Sequence, residues 1–349
     1  MTGSFRRYLR AKRSVDDRAL DRRLVGLLRE RLAERASGAH RTERATETER
    51  SARASGPLRV LEVGAGVGTM IARLIDWEVL PPGRTRYVAV DRDGDTLDGL
   101  GPFLCEWAAG RSDVSVVDAG PSADGDSAAD GGAFVVESPT RTVEVEPVAA
   151  DAVDYAESTL GEWDAVIGTA LLDVLGLDRL DPLLGALAPG GTYYFPITFD
   201  GGTRFRPSRP DDRAVERLYH RHMDEKPGGN SRAGGDALGR LREADESTLL
   251  GVAGSDWVVR PGDSGDGYPG DEAFFLRHIL DTVEEAVGEV IAAERREGKR
   301  QRTGETEAVD LSAADLDAWL RDRREQVDAG ELVYLTHQLD LLGRVDGGA

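Results

Sequence analysis

From Leu58 to Phe199 the chain alternates short apolar runs with amphipathic ones. LRVLEV (58–63) reads as a buried strand of the kind a parallel sheet uses. TMIARLIDWEVL (69–80) has apolar positions at helical spacing, and RYVAVD (86–91) predicts the second strand. A helix is expected around Thr96–Ala109, and a strand pattern resumes with FVVESPTRTVEVEPVAAD (134–151). EWDAVIGTALL (162–172) and GGTYYFPITF (190–199) predict two more buried strands, with a helix around Asp178–Leu187 between them. Strand and helix in this rhythm imply an α/β fold, a doubly wound parallel sheet with helices on both faces.

The flanks differ. Residues 1–56 place Leu20, Leu24, Leu27, Leu28 and Leu32 on one helical face, then turn small and polar from about Ala36 to Gly56. They are expected to form a helical cap and linker ahead of one large domain at 57–349. Residues 118–132 are low in complexity and acidic, a predicted surface loop. Beyond Phe199 the pattern predicts an insertion at 200–232 and a helix near Asp236–Glu246. A strand TLLGVAGSDWVV (248–259) follows, then a helical insertion at 270–330 and a last strand ELVYLTHQLDLL (331–342). Within 270–330, helices are expected from Asp271 to about Arg296 and from Ser312 to about Val327, with a polar loop between.

Charge adds an environment. The net charge is −20, with three lysines against 41 arginines, a balance resembling the proteins of salt-loving archaea. Residues 1–56 run against it, with 15 Lys/Arg and 8 Asp/Glu, a net of +7. Cys105 is the single cysteine, which excludes an internal disulfide and a cysteine-based zinc site. No apolar run approaches the roughly 18 residues of a membrane span, and MTGSFRRYLRAKRSVDDRAL has no signal-peptide core. A halophilic, cytoplasmic protein is expected.

The chemistry points to VLEVGAGVGTM (60–70), where Gly64, Gly66 and Gly68 join a strand to a helix. Glycines let backbone approach a ligand closely, and the helix beyond offers unpaired N–H groups. Such a loop suits a nucleotide-like cofactor. The G-x-G-x-G spacing departs from the dinucleotide fingerprint G-x-G-x-x-G, and no phosphate loop of the G-x-x-x-x-G-K-[ST] kind is present.

Glu62-x-Gly64-x-Gly66-x-Gly68 resembles the acidic-Gly-x-Gly-x-Gly motif of class I S-adenosylmethionine-dependent methyltransferases. Asp91 in VAVDRD, Asp151 in VAADAVD, WDAVIGTALL with Asp164 and Thr169–Ala170, and LAPGGTYYF follow in the family's order. The resemblance implies a Rossmann-like seven-stranded sheet with its last strand antiparallel. It implies S-adenosyl-L-methionine as cofactor, held by Glu62, Gly64, Ala65, Gly66, Gly68, Asp91, Arg92, Asp151, Ala152 and Thr169. In the family the acidic residue at Asp91's place accepts both ribose hydroxyls, and the one at Asp151's place contacts the adenine amine. Methyl transfer needs mainly alignment of nucleophile, methyl and sulfur.

The acceptor is expected between the glycine turn and a lid at 200–232, which carries Arg204, Arg206, Arg209, Phe205, Tyr219, His220 and His222. Arg204, Arg206 and Tyr219 are substrate-binding candidates, and His220 or His222 a general base. On a helix the two histidines point about 200° apart, and no neighbouring ligands suggest a metal. Trp257 reads as core. A small-molecule acceptor is favoured because the N/D-P-P-[FYW] motif and any RNA-binding module are absent. The basic N-terminus keeps an RNA methyltransferase as the alternative; a non-catalytic, cofactor-binding partner subunit is a third reading. Oligomeric state is not legible.

Overall fold

The computed structural model describes residues 2–38, 56–120, 132–263, 265, 267–297 and 311–346. Most of the expected linker, the centre of the acidic loop and the polar loop before Ser312 lie outside these residues.

The parallel strands are β1 (Leu58–Val63), β2 (Gly83–Asp91), β5 (Arg141–Ala149), β6 (Trp163–Ile167) and β7 (Leu187–Phe199). Their order is β5-β2-β1-β6-β7, and β12 (Gln338–Val345) then β9 (Ser247–Gly254) close the sheet, each antiparallel to its neighbour. The order of these seven strands is the expected one, but the expected count of seven is not what the sheet has. A hairpin of β3 (Ser115–Gly120) and β4 (Ala133–Ser138) pairs antiparallel onto β5, so the sheet has nine strands among the described residues. The stretch 134–151 is thus two strands joined at Pro139–Thr140, and Asp118 to Gly120 belong to β3 rather than to the acidic loop.

Successive side chains leave a strand on opposite faces. Val60, Tyr87, Ala89 and Ala165 enter one hydrophobic cluster, and Leu61, Val88, Val90 and Val166 enter the other. Both faces are therefore buried, as the apolar strands demand.

On the first face lies α2 (Arg22–Ala36), whose Leu24, Leu28 and Leu32 are fully buried. Asp21 caps it by accepting the Leu24 N–H, and Arg35 ties its far end to Asp164 of β6 at 2.8 Å. The same face carries α3 (Thr69–Asp76) and α5 (Leu100–Ala109); a single turn, α4 (Gly94–Leu97), precedes α5. The second face carries α6 (Ala152–Ser158), α7 (Leu172–Leu175), α8 (Leu180–Gly185) and α10 (Ala233–Glu243).

The last two expected strands each break in two. TLLGVAGSDWVV splits into β9 and β10 (Trp257–Val259), and ELVYLTHQLDLL into β11 (Val333–Thr336) and β12. Past Ser255 and His337 the pair leaves the main sheet and forms a second one with β8 (Arg204–Arg206), in the order β10-β11-β8. Over it pack α9 (Asp212–Glu225), α11 (Glu272–Glu297) and α12 (Ala313–Asp328). The N-terminal α1 (Thr2–Ala19) packs against α11, β10 and α3. No helix among the described residues is long and apolar enough to cross a membrane.

Candidate functional site

From β1 the sheet proceeds through β2 and β5 on one side and through β6 and β7 on the other. Strand order reverses between β1 and β6, where open α/β sheets hold their ligands beyond the strands' carboxyl ends. The glycine turn follows β1 at this point. Gly64, Gly66 and Gly68 have φ of 70°, 57° and 79°, left-handed values that a side chain disfavours. Ala65 N–H donates to the Val90 carbonyl at 3.0 Å and Gly66 N–H to Asp91 Oδ2 at 2.9 Å. Gly68 opens α3, with no side chain capping the helix's first N–H groups.

The carboxylates around the turn differ in environment. Asp91, half-buried at the end of β2, accepts Gly66 N–H on one oxygen and Asp93 N–H on the other at 3.0 Å. Glu62 is 2% exposed and accepts the Tyr87 hydroxyl at 2.7 Å. Burial pushes its carboxyl up to about 8, against the opposing pull of Tyr87 and Arg73. Asp151 does not end a strand: β5 stops at Ala149, and Asp151 caps α6. Its Oδ1 accepts Val153 N–H at 2.9 Å and an Arg179 guanidinium N–H at 2.7 Å. Burial opposes ionisation there, but the Val153 and Asp154 N–H groups and Arg179 outweigh it and hold the carboxyl below its usual value. Arg92 is exposed and Ala152 is the first residue of α6.

After β6, the Thr169 hydroxyl is buried without a hydrogen-bond partner among the described residues, and Ala170 takes a left-handed φ of 51°. Asp173, on α7, has an Oδ1 that is likewise enclosed and unpartnered. Burial raises its carboxyl to about 6. Leu171 lies between them, its Cδ1 3.2 Å from where a Cβ on Gly64 would stand. The N-terminal helix closes this region. Leu9 Cδ1 would lie 3.1 Å from a Gly66 Cβ, and the Lys12 ammonium donates to Asp16 at 2.7 Å. Arg73 of α3 reaches Asp16 at 3.2 Å and Asp17 at 2.5 Å. Tyr8, Tyr219 and Asp173 act on one another electrostatically.

The remaining acceptor candidates diverge. Tyr219 is half-buried and feels the charge of Asp173, while His220 Nε2 meets Thr203 Oγ1 at 3.0 Å and lines an open cleft of about 700 Å³ with Arg204 and Glu216. Burial lowers the His220 imidazole below its ordinary value. His222 Nε2 meets Glu289 on α11 at 2.7 Å. The two histidines therefore serve separate places, as their helical spacing requires. Arg206 donates to the Phe205 carbonyl, and Trp257 is core, its indole N–H on Asp16 at 3.1 Å. No cluster of three His, Cys, Asp or Glu able to hold a metal occurs among the described residues. Sequence reasoning did not single out Tyr8, Lys12 or Asp173. The one available signal was Asp173 as a lone acid in the apolar run TALLDVL.

The basic N-terminus is answered by the protein itself. Arg7 pairs with Asp271, Arg10 with Glu106, Arg13 with Asp76 and Arg18 with the fully buried Glu272.

No protein-family model matches the chain, and no curated protein matches it. Among solved structures it is similar to phosphoethanolamine N-methyltransferase 2 of Haemonchus contortus, bound to phosphomonomethylethanolamine and S-adenosylhomocysteine. The two are 12% identical with a TM-score of 0.34, over 84% of this chain and 50% of that one. The chain thus spans half the length of that enzyme. It is also similar to a SAM-dependent methyltransferase from Archaeoglobus fulgidus, at 11% identity and a TM-score of 0.33, over 83% of this chain and 87% of that one.

Proposed function

We propose that the protein is a cytoplasmic, salt-adapted methyltransferase that uses S-adenosyl-L-methionine to methylate a small molecule. The observation that carries the reading is the three-glycine left-handed turn at the sheet's reversal point, hydrogen-bonded through Gly66 N–H to Asp91. Each Asp91 oxygen has accepted one N–H and keeps capacity for a ribose hydroxyl. Glu62 lies behind the turn, where a ligand ammonium would favour its ionised form. Ala65, Gly64 and Gly68 would shape the cradle, and Arg92, Asp151 and Ala152 the adenosine end. The unpartnered Thr169 hydroxyl fits a polar ligand on the β6 side. When bound, the cofactor supplies an electrophilic methyl group on sulfonium sulfur. The chain's part is to hold the acceptor in line with it and to exclude water.

The pairing of Arg7, Arg10, Arg13 and Arg18 with the acidic body supports a small acceptor over RNA, because those guanidinium groups are engaged. Methyl-transfer profiling with labelled cofactor, against metabolite extract and total RNA separately, tests this. Label in the metabolite fraction is expected. Label only in RNA, falling when Arg6, Arg7 and Arg10 are replaced, would overturn it.

A further inference from the structure

We propose that the cleft between β8 and α9 binds the phosphate group of a small phosphorylated molecule, gripped by Arg204, Arg206, Arg213 and Arg217. The proposal goes beyond the methyltransferase reading and does not depend on it.

Local geometry brings the four guanidinium groups together. Side chains alternate along β8, so Phe205 is buried while Arg204 and Arg206 stand on the opposite, exposed face. On α9, Arg213 and Arg217 are exposed and one turn apart, on the same side of the helix. All four line one cleft of about 650 Å³, together with Asp212 and Glu216.

The charges of this cleft do not cancel. Four guanidinium groups against two carboxylates leave a surplus of two positive charges, inside a chain whose net charge is −20. Asp212 is already engaged, accepting the Trp319 indole N–H, the buried Arg323 guanidinium and the Arg209 backbone N–H. Glu216 feels Arg204 and Arg213 but stands within ion-pair distance of no arginine among the described residues. Arg206 donates to the Phe205 carbonyl, and Arg217 has no ion pair among the described residues. Arginines just outside the group behave differently. Arg209 reaches Asp322 at 3.0 Å, and Arg221 reaches Glu225 at 2.7 Å and Glu294 at 2.6 Å.

The chemistry selects the ligand. A guanidinium is a donor-only fork that matches the oxygens of phosphate. A phosphate monoester carries about −1.5 to −2 near neutral pH, which meets the surplus. A single carboxylate would leave part of that surplus unmet, and a cation would be repelled. Arg204, Glu216 and Arg217 also line the neighbouring cleft of about 700 Å³ beyond β7, where His220 and Ser231 offer polar groups. A polar organic remainder attached to the phosphate can extend there. A long nucleic acid fits less well, because Asp322, Glu225 and Glu294 answer the flanking arginines and would face its backbone as like charges.

The test is calorimetric titration of the full chain without cofactor, at the lowest constant ionic strength that keeps it folded. The probes are phenyl phosphate, benzoate and a short oligouridylate. Phenyl phosphate should bind about tenfold or more tightly than benzoate. Arg213→Gln with Arg217→Gln should weaken it about tenfold or more, and restoring charge with lysine at both places should recover only part. Arg206→Gln, on the other element, gives a second reading with a loss of about threefold or more. Arg242→Gln on α10 removes the same charge elsewhere and should leave binding within twofold. No binding of phenyl phosphate, benzoate binding as tightly, or affinity unchanged in the folded variants would overturn the site. Oligouridylate displacing phenyl phosphate, and itself lost in the double variant, would overturn the small-ligand assignment in favour of RNA.

Discussion

Leu9 of the N-terminal helix rests on Gly66 of the glycine turn, its Cδ1 3.1 Å from where a Cβ would stand. The basic segment is therefore a wall of the site rather than an outlying arm. Gly66 also has a φ of 57° and donates its N–H to Asp91. Gly66→Ala meets both the neighbouring methyl group and the backbone penalty. It is expected to weaken S-adenosylmethionine binding more than tenfold. Adding Leu9→Ala relieves the contact but not the left-handed φ, so the double variant should recover only part of the loss in calorimetry.

Asp16 holds the interface between α1 and the body. It is 2% exposed and receives Lys12, Arg73 and the Trp257 indole. Asp16→Ala strands the buried Lys12 ammonium and removes one of the two carboxylates on Arg73, and breaking such a buried pair costs about 3–5 kcal/mol. Denaturant titration should show a loss of that size, with Asp16→Asn intermediate because it still accepts hydrogen bonds. An unchanged midpoint would contradict the buried network.

Glu62 makes stability depend on pH. Burial raises its carboxyl from 4.5 to about 8, so between those values the folded protein keeps a proton that the unfolded chain has lost. Unfolding free energy then falls as pH rises through this window, by at most about 1.4 kcal/mol per pH unit. Glu62→Gln cannot titrate and should remove that slope. Denaturant titrations at pH 5 and pH 8 should show a larger loss in the wild type than in the variant. A ligand ammonium beside Glu62 favours the ionised form, so cofactor affinity should rise over the same range.

A net charge of −20 repels itself most where screening is weakest. Dialysis from molar salt into dilute buffer is expected to lower the thermal midpoint and unfold part of the protein, read by circular dichroism. Full stability in dilute buffer would count against salt adaptation.

The sheet was legible because LRVLEV, RYVAVD and WDAVI carry a buried-strand pattern, and the turn because three closely spaced glycines suit a run of left-handed φ values, here 57° to 79°. Asp91 could be placed from its strand end, whereas Asp151 is a helix cap two residues beyond one. The β4–β5 hairpin was hidden because Pro139–Thr140 interrupts a strand-like pattern without changing its period. The bend at Ser255 and His337 has no local signature, since β-rich sequence continues on both sides. Net charge counts arginines without showing which carboxylates face them; the partners of Arg7 and Arg18 lie 264 and 254 residues away. Asp173 stayed unread for a related reason: that its Oδ1 is enclosed without a hydrogen-bond partner among the described residues shows only in the tertiary structure.

The central claim is that the glycine turn and Asp91 hold S-adenosylmethionine, and calorimetry at high salt on the wild type and Asp91→Ala tests it most directly. The ribose diol loses its two acceptors in the variant, so wild-type binding in the micromolar range should weaken at least tenfold, roughly 1.4 kcal/mol or more. NADH should not bind. Cofactor affinity unchanged by Asp91→Ala, or NADH binding in place of S-adenosylmethionine, would contradict the account.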